Sequence, residues 1–535
     1  MFNRDEKWRR YVKVNWPSSI DKDRDYVGIK KYYEDFTKGK YGEIDDQTFS
    51  DLSMKEVFDK LDRTYSSAGE AKLYNMLRDP IYDKDKLESI SKQIESFSKN
   101  VEERIDIQKE FLKLGKDRNF SFIDFLSQDW QGNKKKRILY IFLGRVLPLI
   151  SIALCFIRPQ LIVLFVGIVF MNSYISNKES GVKNTKPYEA IQYAGRMMKT
   201  SRYLLSKNYK VIEPYNKRLE KVMDILKEDE KKFKLVTSTL SGSIHDIEII
   251  EPFIDVVRQC SLGLENSYYG LIENTNKYKK ELKELYDILG DIDALISVAA
   301  YKEDIEYEIS TPEFIKEDIF KIIDGAHPLI EDVVTNSIEI DNKGIVLTGT
   351  NMSGKSTFLR MLGINIIFAQ SFNFVHAKEY KAPFLNIISS ISPEDDVITG
   401  KSYYLAEAES ILRIINNLNK ELKVFCVIDE IFRGTNPVER IAASEEILKY
   451  IQQRNSVSLV ATHDRELTEL LESTHKFYHF SEEVDEKDGL SFDYKLKKGV
   501  LKTKNAIKLL KYVGYPSDII EGAYKNIEQN DNKII

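Results

Sequence analysis

The sequence predicts an α/β domain with a mainly parallel sheet from about residue 306 onwards, joined to a long all-α region that carries a two-helix apolar hairpin. Three observations lead there. Short β-rich runs at 337–340, 344–347, 424–428 and 456–461 alternate with helical ones, the pattern of parallel strands joined by crossover helices. Leucine and isoleucine recur at helical spacing among Lys, Glu and Asp over 57–126 and again over 187–301. Residues 138–157 and 161–175 are mostly apolar and are separated by Arg158-Pro159-Gln160.

A chain of 535 residues has room for three or four domains at about 150 residues each. Its net charge of −5 and pI near 5.9 argue against a general coat for nucleic acid, while a locally basic face stays compatible with that total. Cys155, Cys260 and Cys426 are widely spaced with no CxxC pair, so neither a disulfide framework nor a zinc site is expected and a reducing cytosol fits. The first sixteen residues have no apolar h-region, so no secretory signal is expected.

Taken in order, residues 1–56 read as a polar N-terminal extension, with Asp45-Asp46-Gln47 ahead of a helical run near Met54, and 57–130 as the first segment of a helical core. Residues 131–178 form the hairpin. Its first arm is long enough to cross a hydrocarbon core of about 30 Å, and its second needs its flanks to complete a span. Lys134-Lys135-Lys136-Arg137 before it, with Lys178 and Lys183 after it, place both ends in the cytoplasm and the turn outside. The alternative is a buried hairpin in a soluble core, the reading favoured by Arg145, because an arginine within a span is costly. Residues 179–305 read as a helical lever and second core segment, and 306–535 as the α/β domain.

The chemistry concentrates in that last domain. Ile345-Val346-Leu347-Thr348 reads as a buried strand, and Gly349-Thr350-Asn351-Met352-Ser353-Gly354-Lys355-Ser356-Thr357 follows it and opens a helix. This is the G-x-x-x-x-G-K-S phosphate loop in its required strand-loop-helix context. Its backbone N–H groups and the helix N-terminus suit phosphate oxygens, Lys355 suits the outer phosphates, and Ser356 is placed to ligate Mg²⁺. Downstream, the apolar run 424–428 ends in Asp429 and Glu430. The first carboxylate is expected to support Mg²⁺ and the second to polarise an attacking water. A further strand ends at Thr462-His463-Asp464, where the imidazole of His463 is expected near the terminal phosphate. The cofactors expected are therefore ATP and Mg²⁺.

At these residues the sequence resembles the MutS family of ATPases, relatives of the ABC-type ATPases. TGTNMSGKST is similar to the family's TGPNMGGKST, DEIFRGTN to DEIGRGTS, and ATHDRELTEL to ATHYFELTEL. Ala326-His327-Pro328-Leu329-Ile330-Glu331 resembles the segment before the phosphate loop, which implies His327 near the nucleotide, and Asn336 stands at the position of a recurrent asparagine there. Gly400-Lys401-Ser402-Tyr403-Tyr404-Leu405-Ala406-Glu407 resembles the signature helix G-x-S-T-F-x-x-E, which implies that Ser402 contacts the ATP of a partner subunit in a homodimer with two composite sites. Outside that domain, Leu61-Asp62-Arg63-Thr64 through Gly69 resembles the start of the family's helical core, and Asp293-Ala294-Leu295 with Ser297 its returning lever. Val513-Gly514-Tyr515-Pro516 resembles the start of its C-terminal dimerising helices.

The departures from the family bear on function. The 55 or so residues before the core contain no Phe-x-Glu wedge and are expected to hold no mismatch-recognition or connector domain. His376 replaces the proline of the family's F-V-P-A segment, and Val333 stands where an aromatic often stacks on adenine. The expectation is a dimeric ATPase, anchored in the cell membrane by two helices with both termini cytoplasmic, whose levers transmit ATP state to the hairpin or to a protein partner. The alternatives are a wholly cytoplasmic chain and a DNA-binding clamp that reads no mismatch. A transporter ATPase is disfavoured, because two apolar segments are few for a translocation path and the signature is not L-S-G-G-Q.

Overall fold

The computed structural model describes residues 4–117, 120–128, 133–178, 186–228, 233, 260–350, 353–391, 403–418, 420–432, 435–485, 489–500 and 506–531. The chain divides into two compact units. One comprises residues 1–38, 61–76 and 92–304, and the other 39–60, 77–91 and 305–535.

The first unit is helical. Its longest element is the helix Gly263–Asp304, and its core is rich in aromatic rings, with Tyr193, Phe122 and Tyr286 packed against one another. The stretches 61–69 and 293–297 meet inside it. The backbone N–H groups of Tyr65 and Ser66 donate to the buried carboxylate of Asp293, that of Arg63 donates to Ser297 Oγ at 2.6 Å, and Ser297 Oγ donates to the Leu61 carbonyl at 2.8 Å. Gly69 is required there, because a Cβ would come within 2.3 Å of Asp293 Oδ2. Burial raises the Asp293 carboxyl to about 6 against the opposing pull of its Ser66 bonds.

The hairpin belongs to this unit. Two helices, Lys134–Ile157 and Pro159–Lys178, are long and apolar enough to cross a membrane. The first contains a π-helical turn over Phe142–Val146, just before Pro148, which has no N–H to continue the ladder.

The second unit is built on a six-stranded sheet. The strands of the unit are β1 (Glu313–Phe314), β2 (Phe320–Gly325), β3 (Asn336–Ile340), β4 (Gly344–Thr348), β5 (Glu379–Ala382), β6 (Leu385–Ser390), β7 (Lys423–Asp429), β8 (Ser456–Ala461), β9 (His475–His479), β10 (Glu482–Asp485), β11 (Gly489–Phe492) and β12 (Lys497–Lys498). The main sheet runs β12-β9-β4-β8-β7-β6, parallel except for β12, and a smaller sheet runs β1-β5-β2-β3. The four strands expected from sequence are all present. β4 and β8 are buried along their whole length, as continuous apolar runs in a parallel sheet require. Val346, Cys426, Ile428 and Val460 share a core with Ile414 of helix Tyr403–Asn417 and Leu448 and Ile451 of helix Pro437–Gln452.

The extension does not stand apart: residues 39–60 belong to this sheet-bearing unit. Asp45 caps helix Asp46–Asp51 by accepting from Thr48 N. The buried Asp51 carboxylate accepts from Ser389 Oγ at 2.7 Å and Ile391 N at 3.0 Å, and its carbonyl accepts from Arg360 Nε. Leu52 lies so close to Gly363 that any Cβ there would clash.

Candidate active site

Parallel strands present their carboxyl ends on one edge of the sheet, where ligands bind in open α/β folds. β4 ends at Thr348, β7 at Asp429 and β8 at Ala461, and the order β4-β8-β7 brings the segments that follow them together. The segments after β4 and β7 border a cavity of about 900 Å³ lined by Thr350, Gly354, Lys355, Ser356, Thr357, Asp429 and Glu430, together with His327 and Asn336.

Backbone geometry in the loop depends on glycine. Gly349 has φ +146°, and a Cβ there would lie 2.8 Å from the Phe480 carbonyl; Gly354 has φ +106° and would meet the Tyr494 ring at 3.3 Å. Ser353 Oγ bonds the Thr350 carbonyl, closing the loop on itself. Lys355 is buried, and its ammonium donates to the carbonyls of Gly349 at 2.8 Å and Thr350 at 2.9 Å. Ser356 Oγ donates to Asp429 Oδ2. Asn351, Met352 and Ser402 lie outside the described residues.

Glu430 occupies left-handed backbone space at φ +66°, a conformation that costs of order 1 kcal/mol or more in a residue with a side chain and that clusters at functional sites. Its N–H donates to the Ala461 carbonyl at 2.9 Å, which pins the end of β7 to the end of β8. Its Oε1 lies 3.1 Å from Nε2 of the half-exposed His463. The neighbouring Asp464 is clamped by Arg440, whose Nε donates to Oδ2 at 2.9 Å while a second guanidinium nitrogen holds Oδ1.

His327 is held down to about 4 by burial, with Arg360 and Lys60 adding repulsion. It is therefore neutral at pH 7, and its Nδ1 accepts from Leu329 N at 3.3 Å. Asn336 lines the cavity and also ties down the chain beside it. Its Nδ2 donates to the Tyr494 carbonyl at 2.9 Å and its Oδ1 accepts from Leu496 N at 2.8 Å. His376 is buried, and burial with the Lys60 and His327 charges depresses it to about 3. Its backbone N–H donates to Asn365 Oδ1 at 2.7 Å, a bond for which a proline has no hydrogen.

Sequence reasoning missed Tyr494, Phe480, Arg440 and Asp464. Tyr494 and Phe480 both line the cavity beside the loop. Phe480 is buried against Phe358, and Tyr494 is 43% exposed with its ring stacked on Phe492. No motif marks either residue; the nearest signal is the strand 475–479, whose continuation must pass the phosphate loop once it pairs with β4. Among the described residues no group of three or more His, Cys, Asp or Glu is arranged to hold a metal ion.

Comparison with known proteins gives the same picture for this domain. Residues 345–530 match the family model of MutS domain V. The chain is 32% identical over 329 residues to the DNA mismatch repair protein MutS of Thermotoga maritima, covering 60% of this chain and 40% of that protein. It is 30% identical over 292 residues to the protein of the same name from Streptococcus agalactiae, covering 52% and 34%, and 33% identical over 255 residues to that of Fervidobacterium nodosum, covering 46% and 30%. The chain thus spans two fifths or less of the length of these curated relatives.

Proposed function

This chain belongs to the MutS family, and from that premise we propose that it binds ATP with Mg²⁺ and hydrolyses the γ-phosphate by in-line attack of water. The observation that carries the reading is the convergence on one cavity of the phosphate loop with Lys355, the Ser356–Asp429 pair and Glu430, itself paired with His463.

Ser356 Oγ and the Asp429 carboxylate are hard oxygen donors held together, the kind of set that Mg²⁺ takes alongside phosphate and water oxygens. When bound, the ion would neutralise charge on the transferring phosphoryl group. Lys355 exchanges its carbonyl partners for phosphate oxygens, a swap that keeps a buried ammonium satisfied. Glu430 orients the water and takes its proton on a carboxylate oxygen as the new P–O bond forms and the bond to the β-phosphate oxygen breaks. His463 fixes the Glu430 rotamer and faces the terminal phosphate. Tyr494, held over the loop by Asn336, supplies the face on which adenine stacks, in place of an aromatic at Val333. Ser402 of a second chain completes each site, as the family resemblance implies.

In this proposal the homodimer closes on ATP, and the helical unit transmits closure to a membrane-anchored hairpin, with the ATPase in the cytoplasm. Glu430→Gln is expected to retain ATP binding and slow turnover about a hundredfold, the low end for loss of a general base, and Lys355→Ala to abolish tight binding. Unchanged turnover in Glu430→Gln would refute the assignment. A second reading, a DNA-binding clamp, draws on the mismatch-repair names of the relatives. Binding to plain, mismatched and junction duplexes at two salt concentrations separates the two, because phosphate-driven binding weakens steeply with salt.

A further inference from the structure

The hairpin carries an internal polar layer that fixes how deep it can enter a bilayer. Only 17% of each apolar helix window is buried within the chain, so these are not core helices. Phe156, Ile157, Val163 and Phe170 are 88%, 76%, 75% and 73% exposed.

The layer lies far from the turn. Buried Asn172 on the second arm donates to the Leu143 carbonyl at 2.8 Å and the Cys260 carbonyl at 2.7 Å. The Ser261 carbonyl fills the space where Gly144 lacks a Cβ. One turn further from the tip, Ser176 Oγ donates to the buried carboxylate of Glu265 at 2.7 Å. Exposed Arg145 and Tyr174 sit at this level, the one charged and the other a residue type of membrane interfaces. Among the described residues, a buried glutamate and the start of helix Gly263–Asp304 therefore accompany the hairpin on the far side of Arg145 from the turn.

We propose, building on the membrane-anchored reading above, that the hydrocarbon core is bounded by Arg145 and Arg158, and that residues 134–143 stand in the headgroup zone and in the water beyond it. About 13 residues of helix separate the two arginines, a rise of roughly 20 Å, against a hydrocarbon core of about 30 Å. Both guanidinium groups reach outward to their nearer interface, and local thinning makes up the remainder. Lys134 to Arg137, roughly 12–16 Å along the helix from Arg145, then lie beyond the headgroups. The boundary given by the basic cluster would instead put Arg145 near mid-bilayer, the costliest position for it.

The test is a nitroxide depth scan of the full-length protein in phosphatidylcholine and phosphatidylglycerol vesicles. Cys155 and Cys260 are replaced and Cys426 is left in place, because it is buried and burial pushes its thiol up. Single labels at Ile138, Phe142, Leu149, Ile152 and Phe156 should be deepest at Ile152, with Ile138 and Phe142 accessible to an aqueous nickel relaxant. On the second arm, Val166 should be the deepest. A maximum displaced toward the basic cluster, to Leu149, with Phe142 shielded, would overturn the proposal. Arg145→Leu should move the maximum toward Leu149; a maximum that stays at Ile152 would show that Arg145 does not set the boundary. Failure of the unlabelled protein to float with the vesicles would overturn the membrane anchor itself, an outcome separate from a displaced maximum.

Discussion

Truncating Tyr494 should uncouple adenine recognition from phosphate recognition. The ring lies along the cavity rim, 3.3 Å from where a Cβ on Gly354 would stand, and its backbone is in left-handed space at φ +51°. That backbone is held by both polar atoms of Asn336, with Lys495 Nζ adding a bond to the Thr335 carbonyl at 2.8 Å. Stacking of a base on an aromatic ring contributes about 1–3 kcal/mol. Tyr494→Ala is therefore expected to weaken ATP binding by roughly 5- to 150-fold, Tyr494→Phe to change it little, and Asn336→Ala to lose part of the same energy by releasing the turn. Titration calorimetry with ATP, ADP and inorganic triphosphate checks this. Triphosphate affinity should be the same in all four proteins, because the loop residues that meet phosphate are untouched. Equal ATP affinity in Tyr494→Ala and the parent would refute the stacking role, and a matching loss for triphosphate would show that the ring only supports the loop.

Other perturbations follow from the same geometry. Asp464→Ala removes the Arg440 clamp beside His463 and should lower kcat about tenfold, the equivalent of 1.4 kcal/mol, with ATP affinity retained; the charge-swapped pair Arg440→Asp with Asp464→Arg should recover part of it. Gly349→Ala should abolish nucleotide binding, since no Cβ fits beside the Phe480 carbonyl, and binding equal to the parent would count against the loop geometry. Acid should weaken the sheet-bearing unit. Burial holds His327, His376 and His475 at about 4, 3 and 4, below the ordinary 6.5, so below that value the unfolded chain takes up protons that the folded unit refuses. The stability they confer is complete above pH 6.5 and falls as pH drops toward 4, at most about 1.4 kcal/mol per pH unit for each histidine. Denaturant midpoints at pH 7 and 5 measure the slope, which His376→Phe should flatten by about a third.

What the sequence made legible is what lies close together along it. The phosphate loop, with its strand before and helix after, is a single run of residues, so spacing alone locates Lys355 and Ser356. Asp429 and Glu430 announce themselves as charges ending an apolar strand. The rest is assembled by topology. Tyr494 reaches the loop because the chain, after β9 pairs with β4 and β11 turns back, passes Asn336, and no local pattern distinguishes it from any other tyrosine near a β-turn. Arg440 and Asp464 are ordinary charges until helix Pro437–Gln452 and the end of β8 bring them face to face. In the hairpin, hydropathy averages over Asn172 and Ser176; only the pairing of the two arms shows that Asn172 lies near the level of Arg145 and Ser176 a turn further from the tip. The extension 1–56 reads as polar, yet within it the Asp51 carboxylate is buried by bonds to a strand more than 300 residues away.

That last attachment has a practical side. A fragment cut to begin at Ile305 would carry every motif of the ATPase and still be an incomplete fold. Gly363 would lose the leucine it was shaped to receive, the backbone N–H of Ile391 and the hydroxyl of Ser389 would lose their acceptor, and Arg360 its carbonyl. Such a fragment is expected to aggregate, and to be rescued by supplying residues 39–91 on a separate chain, as a split protein is reassembled from its halves.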